Sequence, residues 1–391
     1  MTIRKLIYWP HLVCGVVAGI VILTMSVTGV LLTYERQIIA WAETAYENPM
    51  PAGSETISID EITKKIIALS DEKKLRSIKI QNNPKAPMII RASDYYYINR
   101  YTGDILGHGP VQTKAILNEI RSFHRWFSMT GDNRAWARMI TGAANLMFLF
   151  IVLSGMYLWI PKVFKWVNFK KILLFRKTKT SRARDFNWHN VLGIWSAVPL
   201  IVVIATATVF YYSWANNLVY YLAGEEPPIR SSNETKSDRY EKGEVTFQAS
   251  SYDGLFFTAS NHHEEWRSIT MDFPKETDQI VTFAIDNGNG GEPHKKGDLV
   301  LDRVHGNIVT WTPFSDYSAG RKARNIIRFL HTGEALGLVG QTIAGLVSLF
   351  ATVMVWTGLA LTYRKYISPI RKTKKNKLFQ KLSPKTQTNS Y

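Results

Sequence analysis

A single cysteine stands among 391 residues. Cys14 lies inside a hydrophobic run, so the chain can form no internal disulfide and no thiolate metal site. The role that suits it is that of a small apolar residue. No G-x-G-x-x-G follows a strand-like run, so no fingerprint for a bound flavin or dinucleotide is present. Asp, Glu and Lys are missing at mid-depth from four long apolar stretches. A proton relay would need ionisable groups strung through such stretches.

Acidic residues are scarce in three places, and these places account for the net charge of +17. Residues 1–11 carry +2 through Arg4 and Lys5. Residues 161–188 hold nine Lys and Arg against Asp185 alone. Residues 364–391 hold nine Lys and Arg and no acid. Each segment adjoins a hydrophobic run, which is the positive-inside pattern and puts all three on the cytoplasmic side. A nucleic-acid partner would need this charge on a folded domain, so none is expected.

The apolar runs cover roughly 12–33, 138–160, 190–213 and 335–363. Each reaches the ~20 residues that span a bilayer, and continuous apolar runs argue for helices. The first run has 22 residues, longer than the ~7–15 of a signal peptide, so it is read as a retained helix. The expected fold is an α-helical membrane protein, a four-helix transmembrane bundle with two periplasmic α+β domains. Its segments run 1–11, 12–33 (helix 1), 34–123 (first periplasmic domain), 124–160 (approach and helix 2), 161–188 (basic cytoplasmic loop), 189–213 (helix 3), 214–330 (second periplasmic domain), 331–363 (helix 4) and 364–391 (basic cytoplasmic tail). Both termini fall in the cytoplasm. Ile59–Ala68 reads as an amphipathic helix, and 86–92, 94–100 and 278–286 read as strands. Asn82-Asn83-Pro84 and Asp286-Asn287-Gly288 read as turns.

The halves look like parallel repeats. A displacement of 178 puts His11 on His189, Gly15 on Gly193 and Thr28 on Thr206. A displacement of 203 puts 97–106 on 300–309, Gly142 on Gly345 and Gly155 on Gly358.

Each span has one histidine at or just before its start: His11, His124, His189 and His331. Within one half the two histidines are a membrane thickness apart. Across halves, His11 can face His189 on the cytoplasmic side and His124 can face His331 on the other. A single interfacial histidine is ordinarily a hydrogen-bonding residue, but four at related places favour ligands. Two histidines per face are too few for zinc, which takes about four ligands. Two imidazoles do suit a haem iron bound from both sides in an apolar setting. With no Cys-x-x-Cys-His, the haem would be b-type rather than covalently attached. Gly15 and Gly193 lie one turn after their histidines, where a missing side chain lets a flat macrocycle approach. Gly333 and Gly337 follow His331. Arg125, Arg134, Arg138, Arg324 and Arg328 on one side, and Arg182 and Arg184 on the other, are candidates to hold propionates. Interfacial anchoring explains any one of them equally well. Trp126, Trp136, Trp159 and Trp195 are read with the same two alternatives. His262-His263-Glu264-Glu265 could touch a metal or a substrate, but a solvated loop is the better reading; His108, His294 and His305, near turns of the soluble segments, receive no role.

The chain resembles the PepSY-associated transmembrane family, which includes bacterial inner-membrane siderophore reductases. The residues that carry the likeness are His11 with Gly15, Val27-Thr28-Gly29, Asn99–Asp104, Phe123-His124-Arg125-Trp126, His189–Gly193 and Leu330-His331-Thr332-Gly333-Glu334. Val304-His305 depart from the family pattern, standing where Tyr101-Thr102 stand in the first soluble motif. The resemblance implies two b-type haems, one near each face of the inner membrane. It implies electrons passing from a cytoplasmic or quinol donor to a ferric siderophore in the periplasm, with no side chain acting as acid or base. Two other readings compete. One is a non-enzymatic membrane protein whose PepSY-like domains bind peptides or a protease. The other is a quinol-linked cytochrome b with a different acceptor.

Overall fold

The computed structural model describes residues 2–48, 55–69, 75–228, 250–263, 265–275 and 277–370. In chain order the helices and strands are α1 (Ile3–Val17), α2 (Gly19–Leu32), α3 (Glu35–Glu43), α4 (Ile59–Leu69), β1 (Ser77–Gln81), β2 (Met88–Arg91), β3 (Tyr95–Ile98) and β4 (Ile105–Gly107). There follow α5 (Val111–Trp126), α6 (Gly131–Trp159), α7 (Trp166–Leu173), α8 (Ser181–Tyr211), α9 (Ser213–Leu222) and α10 (Tyr252–His262). The chain continues through β5 (Ser268–Asp272), β6 (Ile280–Asp286), β7 (Lys296–Asp302), β8 (Ile308–Pro313), α11 (Ala319–His331) and α12 (Gly337–Thr362). They fall into a helical unit, from the described parts of 1–33, 120–212 and 342–391, and a sheet unit, from those of 34–119 and 213–341.

Four helical stretches are long and apolar enough to cross a membrane: Gly19–Tyr46, Gly131–Trp159, Ser181–Tyr211 and Glu334–Ile370. The chain is therefore a multi-pass membrane protein. The helices outrun the apolar runs that announced them. The single helix expected over 12–33 is divided at Ala18 into α1, which begins at Ile3, and α2, and the first membrane-length stretch runs on from Gly19 to Tyr46. α8 begins at Ser181, not at 189, because polar turns continue the backbone hydrogen bonding beyond the hydrophobic length. Thr130 to Asn133, which looks like a turn by composition, instead leads into α6: Thr130 is extended and the helix starts at Gly131. The reversal sits just before it, at Phe127 and Ser128, whose φ values are 53° and 55°. The basic tail expected over 364–391 is described only to Ile370, still helical, and 371–391 lie outside the described residues, as does Glu264.

Within the helical unit, α8, α6 and α12 share a core of Leu200, Ile204, Val347 and Ala351 with Phe148 and Val152. Ala18, Ile22 and Ala144 close a second cluster between the first helix, α6 and α12. Asn145 on α6 donates to Thr208 Oγ1 (3.0 Å) and to the Ile204 carbonyl (3.2 Å) on α8. In a membrane, where apolar attraction between helices is weak, such bonds and close packing do much of the joining.

The sheet unit differs from the two separate domains expected over 34–123 and 214–330. Each segment supplies four strands and one helix that packs on them, α4 or α10, but the strands form one antiparallel sheet in the order β4-β3-β2-β1-β5-β6-β7-β8. The join is β1 against β5, from Ser77 opposite Asp272 to Gln81 opposite Ser268. Ile78, Ile80, Ile269 and Met271 from these strands are buried with Ile62, Ile66, Leu255 and Ala259 from α4 and α10 in one core. Neither half could bury that face alone.

The helices over this core cap each other. Asp253 in the first turn of α10 accepts from the Ile59 N–H (2.8 Å), the Asp60 N–H (3.4 Å) and the Ser58 hydroxyl. Asp60 in the first turn of α4 accepts from the Asp253 N–H at 3.2 Å. Each carboxylate thus fills orphan donors at the other helix's N-terminus. Burial pushes the Asp253 pKa up, but hydrogen bonds from Ser58, Ile59 and Asp60 outweigh it and hold the carboxyl below the usual range. A depressed carboxyl contributes stability above its unfolded pKa of ~3.9 and loses it as pH falls through the lower folded value. Asp253→Asn is expected to cost about 1–2 kcal/mol at neutral pH. It should also flatten the loss of stability below about pH 4, as read by thermal unfolding of the full chain in nanodiscs across pH.

Candidate cofactor site at the paired histidines

His11 is the ninth residue of α1, and His189 is the ninth residue of α8. Neither heads its helix, because both helices extend two turns further into polar sequence. Both side chains line one cavity in the helical unit, of about 1260 Å³. That exceeds the ~300–1,000 Å³ of ordinary small-molecule sites.

The ring nitrogens are not equivalent. His11 Nδ1 lies 2.9 Å from Ser154 Oγ on α6, with the Ile151 backbone as a second partner. His189 Nδ1 lies 3.0 Å from the Met354 carbonyl and 3.2 Å from Thr357 Oγ1 on α12. A carbonyl only accepts, so His189 Nδ1 carries the proton. Ser154 donates its own proton to the Phe150 carbonyl at 2.6 Å, which leaves its oxygen to accept from His11 Nδ1. In both rings Nε2 is therefore the nitrogen with a lone pair, and it makes no hydrogen bond to the described residues.

Glycines clear the space around the rings. A Cβ at Gly155 would lie 3.3 Å from His11 Cε1, and a Cβ at Gly358 would lie 3.3 Å from His189 Cε1. Gly15 faces open space and Gly193 meets only Met354 Sδ at 3.5 Å. Both line the cavity. The deep wall is apolar, from Ile22, Phe148, Leu200 and Ala351. The mouth is cationic. Arg4, Lys5, Lys162, Arg182 and Lys365 line it, and no Asp or Glu does. Arg4 is committed to the carbonyls that end α6, and Lys365 donates to Tyr8. Lys5, Lys162 and Arg182 have no partner among the described residues. The indole N–H of Trp159, also on the lining, is buried without an acceptor. Arg184 is paired with the buried Asp185, which Arg364 also holds.

An apolar lining, two imidazoles whose Nε2 lone pairs are free of hydrogen bonds to the described residues, and unsatisfied donors in the same cavity fit an amphiphilic macrocycle that bears carboxylates. His11, His189, Gly15, Gly193, Arg182 and Trp159, singled out in the sequence, line this cavity. Lys5 and Lys162 on its lining, and Ser154 and Thr357 beside the imidazoles, were not singled out as site residues. A Ser-Gly and a Thr-Gly related by the 203-residue displacement were the available signal.

The other pair is placed differently. His124 sits near the end of α5 in the helical unit, its Nδ1 2.9 Å from Thr28 Oγ1 on α2. Thr28 donates to the Thr24 carbonyl at 2.7 Å, so it too accepts from the imidazole. His331 is the last residue of α11, in the sheet unit. These two lie in different units and at helix ends rather than at the heads of spans. Gly333 (φ 77°) and Gly337 (φ 62°) shape the turn from α11 into α12. A Cβ on Gly333 would lie 2.3 Å from the Gly340 carbonyl, so backbone crowding accounts for it. Glu334 of the same motif is buried and ion-paired with Arg36.

Arg125 and Arg328 are both exposed; Arg125 stacks over Trp126 at 4.5 Å, and Arg328 lies 5.6 Å from the Phe329 ring. Arg138 donates to the Phe210 carbonyl (2.8 Å) and caps α8, and Arg324 donates to Asn216 Oδ1 (2.8 Å). For these last two, structural anchoring is what the side chain does. Among the described residues no group of three or more His, Cys, Asp or Glu could hold a metal ion. A two-histidine axial site needs no such group.

Residues 8–365 match one protein-family model, described as the PepSY-associated TM region. No curated protein matches the chain.

Proposed function

We propose that this chain, which belongs to the PepSY-associated transmembrane family, is a di-haem b oxidoreductase of the bacterial inner membrane that delivers electrons to a ferric siderophore in the periplasm. The observation that carries the reading is the cavity in which His11 and His189 each present Nε2 above glycine-cleared backbone. Haem bound there would supply reversible one-electron chemistry at iron, with potential set by axial ligands and surroundings. The residues of the chain would hold it. His11 and His189 would bind the iron through their imidazole nitrogens, and Lys5, Lys162, Arg182 and the Trp159 N–H would take the propionates. The apolar wall excludes water. The second pair, His124 with His331, is proposed on sequence order and on the shared Nδ1 arrangement at His124. The two parallel repeats would then carry one haem near each face.

The overall step is balanced by one electron per iron. A one-electron cytoplasmic reductant would reduce one ferric ion, whereas a quinol would give up two electrons, enough for two ferric ions, and release its two protons to water as it becomes a quinone. Gain of the electron weakens the siderophore's hold. No side chain needs to move a proton to the acceptor.

Purified protein is expected to be red and to give b-type bands in a reduced-minus-oxidised spectrum, with two haems per chain. Reduced protein mixed with a ferric siderophore should release ferrous iron, trapped by a ferrous chelator. A colourless protein that binds peptides would replace this reading with that of a binding module. Haem without ferrous release would leave a quinol-linked cytochrome with another acceptor.

A further inference from the structure

We infer that Ser154 and Thr357, each with the carbonyl one turn before it, are positioning residues that fix the tautomer of His11 and His189 and set how strongly each donates to iron. The inference rests on the haem reading above.

The arrangement occurs twice. Displacement by 203 carries Ile151 onto Met354, Ser154 onto Thr357 and Gly155 onto Gly358. In each case the carbonyl, the hydroxyl and the glycine lie within one turn of a helix and serve a histidine on another helix. Hydroxyls in membrane helices commonly bond back to the preceding turn, and these do: Ser154 to Phe150 at 2.6 Å and Thr357 to Val353 at 2.8 Å. What sets them apart is the second bond. With its proton committed to the helix, each oxygen can only accept, and the donor it meets is an imidazole Nδ1–H. Thr28 does the same for His124.

A hydrogen bond on the distal nitrogen orients the ring and raises its basicity as a ligand. More electron density on Nε2 stabilises ferric over ferrous iron. In soluble metal sites a carboxylate often takes this role. Here the partners are neutral. Ser154 is 6% exposed and Thr357 is 2% exposed. A carboxylate so buried among apolar helices would be costly. The hydroxyl and carbonyl give the orientation without the charge.

The test uses the full chain in nanodiscs, with Ser154→Ala, Thr357→Val and the conservative Ser154→Thr and Thr357→Ser. Three quantities are read: the rate of haem transfer to apomyoglobin, the midpoint potential of each haem, and the low-spin ferric electron paramagnetic resonance signal. Ser154→Ala and Thr357→Val are expected to speed loss of one haem by about tenfold. They should move the same haem's potential upward and shift its g values, with the other haem unchanged. The hydroxyl-retaining variants should stay near wild type. If both hydroxyl-deleting variants match wild type in all three, the inference is overturned while the haem reading stands. Wild-type protein without haem would overturn both.

Discussion

Replacing His11 by alanine is expected to remove one of the two proposed haems, lowering the haem-to-protein ratio from two to one. His189→Ala should remove the same haem, not the other. The remaining centre should have one and the same midpoint potential in both variants and in the double variant. This follows from the single cavity that both rings line. Losing either imidazole would remove one of the two side-chain ligands that would hold the iron in this cavity. His11→Gly offers a further check. Gly15 already faces open space beside the site, so exogenous imidazole can enter the vacated volume. Added imidazole should then restore the six-coordinate spectrum and return the haem ratio toward two. Haem spectroscopy of purified variants reads all of this. A different surviving centre in His11→Ala and His189→Ala would break the pairing. Transmembrane electron delivery, measured by reducing protein in vesicles from one side, should fall to background in each variant.

The membrane spans were legible because their signal is local: a run of apolar residues long enough to cross a bilayer. The helix over 59–69 and the strands at 88–91, 95–98 and 280–286 were legible for the same reason, through period and flanking turns. The single sheet was not. The pairing of β1 with β5 joins residues nearly two hundred positions apart, and no short stretch of sequence encodes which edge a strand will find. The true start of α1 was hidden because Ile3–Pro10 is too polar to count as a span yet continues the helix. At the site, His11 and His189 stood out because they recur with their glycines at one displacement. Ser154 and Thr357 did not, since a hydroxyl in an apolar helix usually does no more than bond to its own backbone. Only the packing of α6 on α1, and of α12 on α8, shows that each meets an imidazole.

Gly155 and Gly358 should give effects of opposite sign on fold and on cofactor, and this separates a clearance role from a structural one. Glycine in a helix interior is about 1 kcal/mol less favourable than alanine. Gly155→Ala is therefore expected to raise the thermal stability of the haem-free chain. The added Cβ would lie 3.3 Å from His11 Cε1, tighter than ordinary van der Waals contact, and Gly358→Ala repeats this at His189. The ring cannot simply swing aside, because its Nδ1 is tied to Ser154 or to Met354 and Thr357. A displacement of a few tenths of an ångström should loosen the same haem that His11→Ala removes, by about tenfold, in line with losses from disturbed outer-shell geometry. A β-branched residue leaves no such latitude. Its Cγ atoms would overlap the ring, so Gly155→Val should bring the ratio down to one haem although both histidines remain. Haem transfer rates and unfolding midpoints, measured on the same samples, check the two signs together. If alanine raised stability and left haem binding untouched, the glycines would be clearing no space that the haem needs. A fall in both would mean that His11 and Ser154 hold the two helices together as well as orienting a ligand.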